Sequence, residues 1–157
     1  MVSGAAADVS LARSDRRRLE WNRYHPAVPD VLLATDADWL ADECEAALGG
    51  THLIHRVWRG ADVLPAIGEV DPDLVVLDLQ IGNMGGMATC LAIRQEEGAG
   101  RLDERPVLML LDRKADEFLA KRSDADRWLV KPVNSIQLQR AVRDALAEYA
   151  DSEDIEG

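Results

Sequence analysis

The run Asp73-Leu-Val-Val-Leu-Asp78 constrains the fold more than any other stretch of this chain. Its interior is entirely branched and aliphatic, so an extended segment here has no polar face to show to water. Such a segment needs apolar cover on both sides, as interior strands of parallel α/β sheets have. The run also ends in a carboxylate. Ligands bind just beyond the carboxyl ends of strands in open parallel sheets. An ionised carboxylate placed there costs several kcal/mol to desolvate unless it has a partner. Asp78 is therefore a candidate for chemistry, and the other strand ends decide which chemistry.

A chain of 157 residues can build one domain with a full core, plus tails. Only 4% of the residues are aromatic, so Leu, Val, Ile and Ala must supply that core. A net charge of -11 disfavours binding of nucleic acid or anionic membrane by the domain body, because phosphate neutralisation needs clustered cations. No apolar run approaches bilayer length, so membrane insertion is not expected. Met1 to Ser10 lacks a basic-then-apolar signal pattern, and a cytoplasmic location is expected. Cys44 and Cys90 share no metal or redox spacing and read as buried free thiols.

Residues 1–28 form an Arg-rich arm, expected to be flexible, that ends in the prolines Pro26 and Pro29. From Val31 onward strands and helices alternate. Strands are predicted at Val31 to Ala34, Thr51 to Val57, Asp73 to Asp78, Pro106 to Leu111 and Trp128 to Lys131. Helices are predicted from Asp38, read as an N-cap, to Leu48, then over about 61–70, from Gly85-Gly86, over about 114–122, and from Asn134. Asn134 with Gln137 is a variant of the capping box. Five βα units predict one flavodoxin-like, doubly wound (βα)₅ domain over 29–149, with sheet order 2-1-3-4-5. The acidic stretch 150–157 reads as a disordered tail. Trp39 and Trp58 read as packing residues, and His52 and His55 as surface or rim residues that cannot share a metal.

In that strand order Asp36 lies just past the first strand, Asp78 ends the third and Lys131 ends the fifth. Neighbouring carboxylates repel, and hard oxygen ligands with room for water suit Mg²⁺. A carboxylate can accept a phosphoryl group where a metal and a lysine balance the transferring charge. Asp36, the segment Val75-Val-Leu-Asp-Leu-Gln-Ile-Gly-Asn-Met-Gly-Gly86 and Lys131-Pro132 together resemble the receiver domain of two-component response regulators over about residues 30–148. The resemblance implies that Asp78 is the phosphoacceptor and that Lys131 pairs with the phosphoryl oxygens. It also implies a Mg²⁺ ion on Asp36, Asp78 and the Gln80 backbone carbonyl, a cis bond before Pro132 and a switch aromatic at Trp128.

Three positions depart from the receiver pattern. Thr35 stands where receivers usually carry a second acid, which predicts weaker Mg²⁺ binding. Leu111 stands where a Ser or Thr hydroxyl usually couples the phosphoryl group to the switch aromatic. Gly82 and Gly85 predict a pliable loop after Asp78.

The implied partners are a histidine kinase or phosphotransfer protein and a downstream protein. The downstream protein would dock on the fourth helix, fifth strand and fifth helix, with Trp128, Arg140 and Arg143 contributing, and a homodimer is a further option. The expected function is that of a stand-alone, atypical receiver that signals by docking, not an enzyme beyond self-phosphotransfer and autodephosphorylation. The alternative is a phosphorylation-independent adaptor of the same fold. A haloacid-dehalogenase-like phosphatase needs a second acid where Gln80 stands. A P-loop protein needs a lysine that the Gly82–Gly86 loop lacks. A flavin site needs a phosphate-cradling loop where Ala34-Thr-Asp-Ala-Asp38 would repel phosphate.

Overall fold

The computed structural model describes residues 28–156, so the arm predicted over 1–28 lies, but for its last residue, outside the described residues. Five parallel strands form one sheet in the order β2-β1-β3-β4-β5. They are β1 (Asp30–Ala34), β2 (Leu53–Val57), β3 (Leu74–Asp78), β4 (Val107–Leu111) and β5 (Arg127–Val130). The crossovers contain α1 (Asp38–Leu48), α2 (Val63–Val70), α3 (Gly86–Gly98), α4 (Glu117–Arg122) and α5 (Ser135–Glu156). Single 3₁₀ turns, Gly60–Asp62 and Lys114–Asp116, lead into α2 and α4. This is the flavodoxin-like α/β fold expected from the sequence.

The strands alternate their side chains between two cores. Val31, Leu33, Val76, Leu108 and Leu110 pack with Leu40, Cys44 and Leu48 of α1 and with Leu138 and Val142 of α5. Leu32, Ala34, Val75, Leu77, Met109 and Leu111 pack on the opposite face with Val63, Ile67, Cys90, Ile93 and Ala120. The central strands β1, β3 and β4 are buried along their full length. Covering them from both sides is what their unbroken aliphatic composition demands.

Several local expectations need correction. The α5 backbone is helical to Glu156, through the stretch read as an acidic tail. No Gly or Pro interrupts the chain between Pro132 and Gly157, and each added residue extends an existing helix by one hydrogen bond. Asp38 is the first residue of α1 and Ala37 occupies the cap position. There the Asp38 carboxylate faces the helix N-terminus and pairs with Arg56 at 3.0 Å. Trp39 and Trp58 are 53% and 54% exposed, so neither is a packing residue. Of the proposed capping box at α5, the Asn134 side chain accepts the Gln137 N–H at 2.8 Å.

The loop after Asp78 is bound on every side. Gly82 and Asn83 carbonyls accept the Gly60 and Ala61 N–H groups at 3.0 Å, and Gly86 N–H donates to the Leu79 carbonyl at 3.1 Å. Its left-handed residues are Asn83 and Met84, not the glycines. The close approach falls instead at Gly60, where a Cβ would lie 1.7 Å from the Met84 carbonyl oxygen.

Both thiols are buried, as expected. Burial pushes Cys44 up from 9.0 to about 12 and Cys90 up from 9.0 to about 11. Alkylation requires the thiolate, so both should resist iodoacetamide at pH 8 in the native protein and react rapidly in denaturant. Above pH 9.0 the unfolded thiols ionise while the native ones keep their protons. Stability should then fall as pH rises from there toward 11–12, read by urea unfolding across the alkaline range.

Candidate functional site

Parallel strands bring the ends of β1, β3, β4 and β5 to one edge of the sheet, and the site lies there. Asp78, the last residue of β3, is 1% exposed. Three donors satisfy its carboxylate. Lys131 Nζ approaches Oδ1 at 2.5 Å and the Gln80 N–H donates to the same oxygen at 3.0 Å. The Thr35 hydroxyl donates to Oδ2 at 2.7 Å. Such a buried charge is tolerable because it is both paired and hydrogen-bonded.

Each partner is placed by its own strand. Thr35 follows β1 directly, is fully buried, and accepts the Ala37 N–H at 3.1 Å. Lys131 follows β5, and its N–H donates to the Leu111 carbonyl at 2.7 Å, which extends the β4–β5 ladder by one step. The Lys131–Pro132 bond is cis. Asp36 sits on the exposed side, with its Oδ2 accepting the Gly82 N–H at 3.0 Å. Gly86 lets α3 start against the acceptor strand, for a Cβ there would meet the Asp78 carbonyl oxygen at 2.7 Å.

Asp36, Asp78, Gln80 and Lys131 thus share one edge, as the sequence suggested. Two features were missed. The Thr35 hydroxyl meets Asp78 directly. Lys131 is also shared with Asp112, whose Oδ1 lies 3.2 Å from the ammonium. The signal was present: Asp112 is an acid one residue past a buried strand, just as Asp36 is two residues past β1. At the switch positions, Leu111 is fully buried in the β4 core and has no hydroxyl. Trp128 is partly buried against that same core, with the Lys121 ammonium 5.8 Å from its ring centroid.

Residues 31–143 match the response regulator receiver domain family. The chain belongs to that family. Among its relatives, the transcriptional regulatory protein AfsQ1 of Streptomyces coelicolor is 33% identical over 124 residues. That match covers 76% of this chain and 52% of AfsQ1. The DNA-binding response regulator MtrA of Mycobacterium tuberculosis is likewise 33% identical, over 77% of this chain and 52% of MtrA. The chain therefore spans about half the length of these curated relatives. The same fold occurs in the chemotaxis protein CheY4 of Vibrio cholerae, with a TM-score of 0.67 and 21% identity over 76% of this receiver and 99% of CheY4. It occurs also in NtrX of Brucella abortus, with a TM-score of 0.73 and 22% identity over 82% of this receiver and 30% of NtrX. Among the described residues, no helix is long and apolar enough to cross a membrane.

Receivers generally bind Mg²⁺ at the phosphorylation site; among the described residues no group of three or more His, Cys, Asp or Glu side chains is gathered to hold a metal. Asp36 and Asp78 offer carboxylate oxygens, and the exposure of Asp36 leaves room for a hydrated ion that keeps several waters. The Gly82 N–H holds the Asp36 side chain toward the loop that carries Gln80. With Thr35 in place of an acid, the donor set carries less negative charge than the usual receiver pattern.

Breaking a buried ion pair costs more than deleting it, because one charge is left without compensation. Lys131→Met should destabilise the fold by ~3 kcal/mol in urea titration. The double variant Lys131→Met with Asp78→Leu should recover much of that loss. A double variant as unstable as the sum of the two single changes would show that the pair is not coupled.

Proposed function

We propose that this receiver accepts a phosphoryl group on Asp78 from a histidine kinase or phosphotransfer protein and signals by docking to another protein. The buried contact of Lys131 with Asp78 carries this reading, since it holds a cation where phosphoryl oxygens would arrive. An Asp78 carboxylate oxygen attacks phosphorus, and the donor's bond to phosphorus breaks with its electron pair leaving on the donor. The Lys131 ammonium then transfers its hydrogen bond to a phosphoryl oxygen. Gln80 N–H and Thr35 keep the carboxyl group oriented meanwhile. Asp36, Asp78 and the Gln80 carbonyl would hold Mg²⁺, which supplies charge neutralisation on the transferring group.

The docking surface in this reading is α4, β5 and α5. Phe118 is 56% exposed there and Ile136 is 67% exposed, beside Trp128 and the exposed Arg140. Arg143 lies one turn further along α5 and is also exposed. The domain's net charge favours a protein partner over nucleic acid. AfsQ1 and MtrA are described as transcriptional and DNA-binding regulators, and that output belongs to those longer proteins.

A second reading rests on Leu111. With no donor at the end of β4, the usual hydroxyl link to the switch aromatic cannot form, which suits a phosphorylation-independent adaptor. The two readings separate in one experiment. Incubation with Mg²⁺ and a small acyl phosphate should add one phosphoryl group by intact mass, and Asp78→Asn should abolish the adduct. An unchanged mass favours the adaptor. Binding to a kinase-pathway partner should weaken several-fold in Trp128→Ala and in Arg140→Glu, read by co-purification. Binding that survives both changes rejects the α4-β5-α5 face.

A further inference from the structure

The Thr35 hydroxyl has one proton to give, and it is spent on Asp78 Oδ2 at 2.7 Å. The Thr35 Oγ1 itself accepts the Ala37 N–H at 3.1 Å, and Ala37 caps α1. The Ala37 carbonyl in turn accepts the Leu40 and Ala41 N–H groups that begin that helix. The Thr35 backbone carbonyl accepts the Arg56 Nε–H at 3.2 Å. Arg56 pairs with Asp38 of α1 at 3.0 Å and lies over the Trp58 ring, 4.7 Å from its centroid. Thr35 therefore joins the acceptor carboxylate to the first turn of α1 through its buried side chain and, through its backbone carbonyl and Arg56, to an exposed tryptophan just past β2. On the other flank, Leu111 is fully buried and has nothing to donate.

We propose that Thr35 is a positioning residue that reads the charge on Asp78 and conveys it to the α1–β2 edge bearing Trp39 and Trp58. The physical reason lies in the strength of the hydroxyl's bond. A hydrogen bond to an ionised carboxylate is roughly twice as strong as one to a neutral oxygen. Phosphorylation turns the Asp78 carboxylate into a mixed anhydride, whose carbonyl oxygen is neutral while the phosphoryl oxygens carry the charge, so the Thr35 donor loses its ionised acceptor on Asp78. Being fully buried, the hydroxyl cannot turn to solvent; it must re-aim, and an unsatisfied buried donor is costly. Re-aiming moves the oxygen that holds Ala37 N–H and so loosens or shifts the start of α1. In ordinary receivers the reading hydroxyl sits at the end of β4; here the one hydroxyl on Asp78 sits at the end of β1. The proposal rests on the phosphoacceptor reading only for the identity of the signal, because any loss of charge at Asp78 serves to test it.

Asp78→Asn removes the charge at nearly constant shape. In the full chain it should speed hydrogen exchange of the Ala37 amide about tenfold, the loss expected for one weakened charged hydrogen bond. It should also shift the emission of Trp58 in a variant whose Trp21, Trp39 and Trp128 are Phe. In a Thr35→Val background the Ala37 amide should already exchange quickly, and Asp78→Asn should add nothing to either signal. Thr35→Ser should restore both responses, which a purely structural role for the threonine methyl would not. Equal effects of Asp78→Asn with Thr or Val at position 35 would overturn the proposal, as would failure of the serine rescue. The cycle needs no phosphodonor, so a missing phosphoryl adduct would count against the acceptor reading alone. The amide measurement uses chains with all four tryptophans and so survives poor folding of the multiple-Phe variant.

Discussion

A carboxylate that is 1% exposed can persist only if the protein meets its charge from every side, and that requirement organises this receiver. Lys131 supplies the cation, Gln80 a backbone donor and Thr35 a hydroxyl. These groups come from three different crossovers, so β1, β3 and β5 must end at the same level. The parallel registers do this: Ala34 pairs with Leu77, and Asp78 with Leu110. The close packing of Gly86 against the Asp78 carbonyl and the ties from Gly60 and Ala61 to the following loop then hold the acceptor end of β3 rigid. Sheet, loop and ion pair are one construction.

The electrostatics of the edge differ from those the receiver pattern leads one to expect. An acid is absent at position 35, but Asp112 brings one to the other side of Lys131. The Lys131 ammonium meets two carboxylates, Asp78 and Asp112, while Asp36 at the β1 end accepts the Gly82 N–H. A cation at Asp36 and Asp78 would face a neutral hydroxyl where it usually faces a charge. The ammonium would instead divide its attraction between Asp78 and Asp112. Hydrogen bonding follows a complementary shift, for the hydroxyl moves from β4 to β1. Charge and donor have in effect exchanged flanks around Asp78.

Much of the site could be read from the sequence because it obeys local rules. Asp78 and Lys131 each end an apolar run, and Asp36 follows one closely; strand ends are visible as the place where such runs stop. The βα alternation pointed to a doubly wound parallel sheet, and the order 2-1-3-4-5 came with the flavodoxin-like type of that sheet. Asp112 obeys the same rule and was overlooked because its neighbour, Leu111, drew the reading toward a missing hydroxyl. The exposure of Trp39 and Trp58 was not legible, since large aromatics are usually buried and nothing local marks these two otherwise. Trp58 is held from outside by Arg56, a contact between residues two apart at a strand end. Nor were the close contacts of Gly60 with the Met84 carbonyl and of Gly86 with the Asp78 carbonyl legible, since a glycine in a loop does not say what backbone approaches it.

By itself, then, the chain of residues determined the class of sheet, the cover on both its faces and which strands would end in charge, because those follow from periodicity and from the cost of burying polar groups. Tertiary structure alone decided who meets whom at that edge. Thr35 and Asp78 are far apart along the chain, yet the β1–β3 pairing sets their side chains 2.7 Å apart. Hydrogen bonds act over one contact distance, and only the packed sheet decides which donor stands within it.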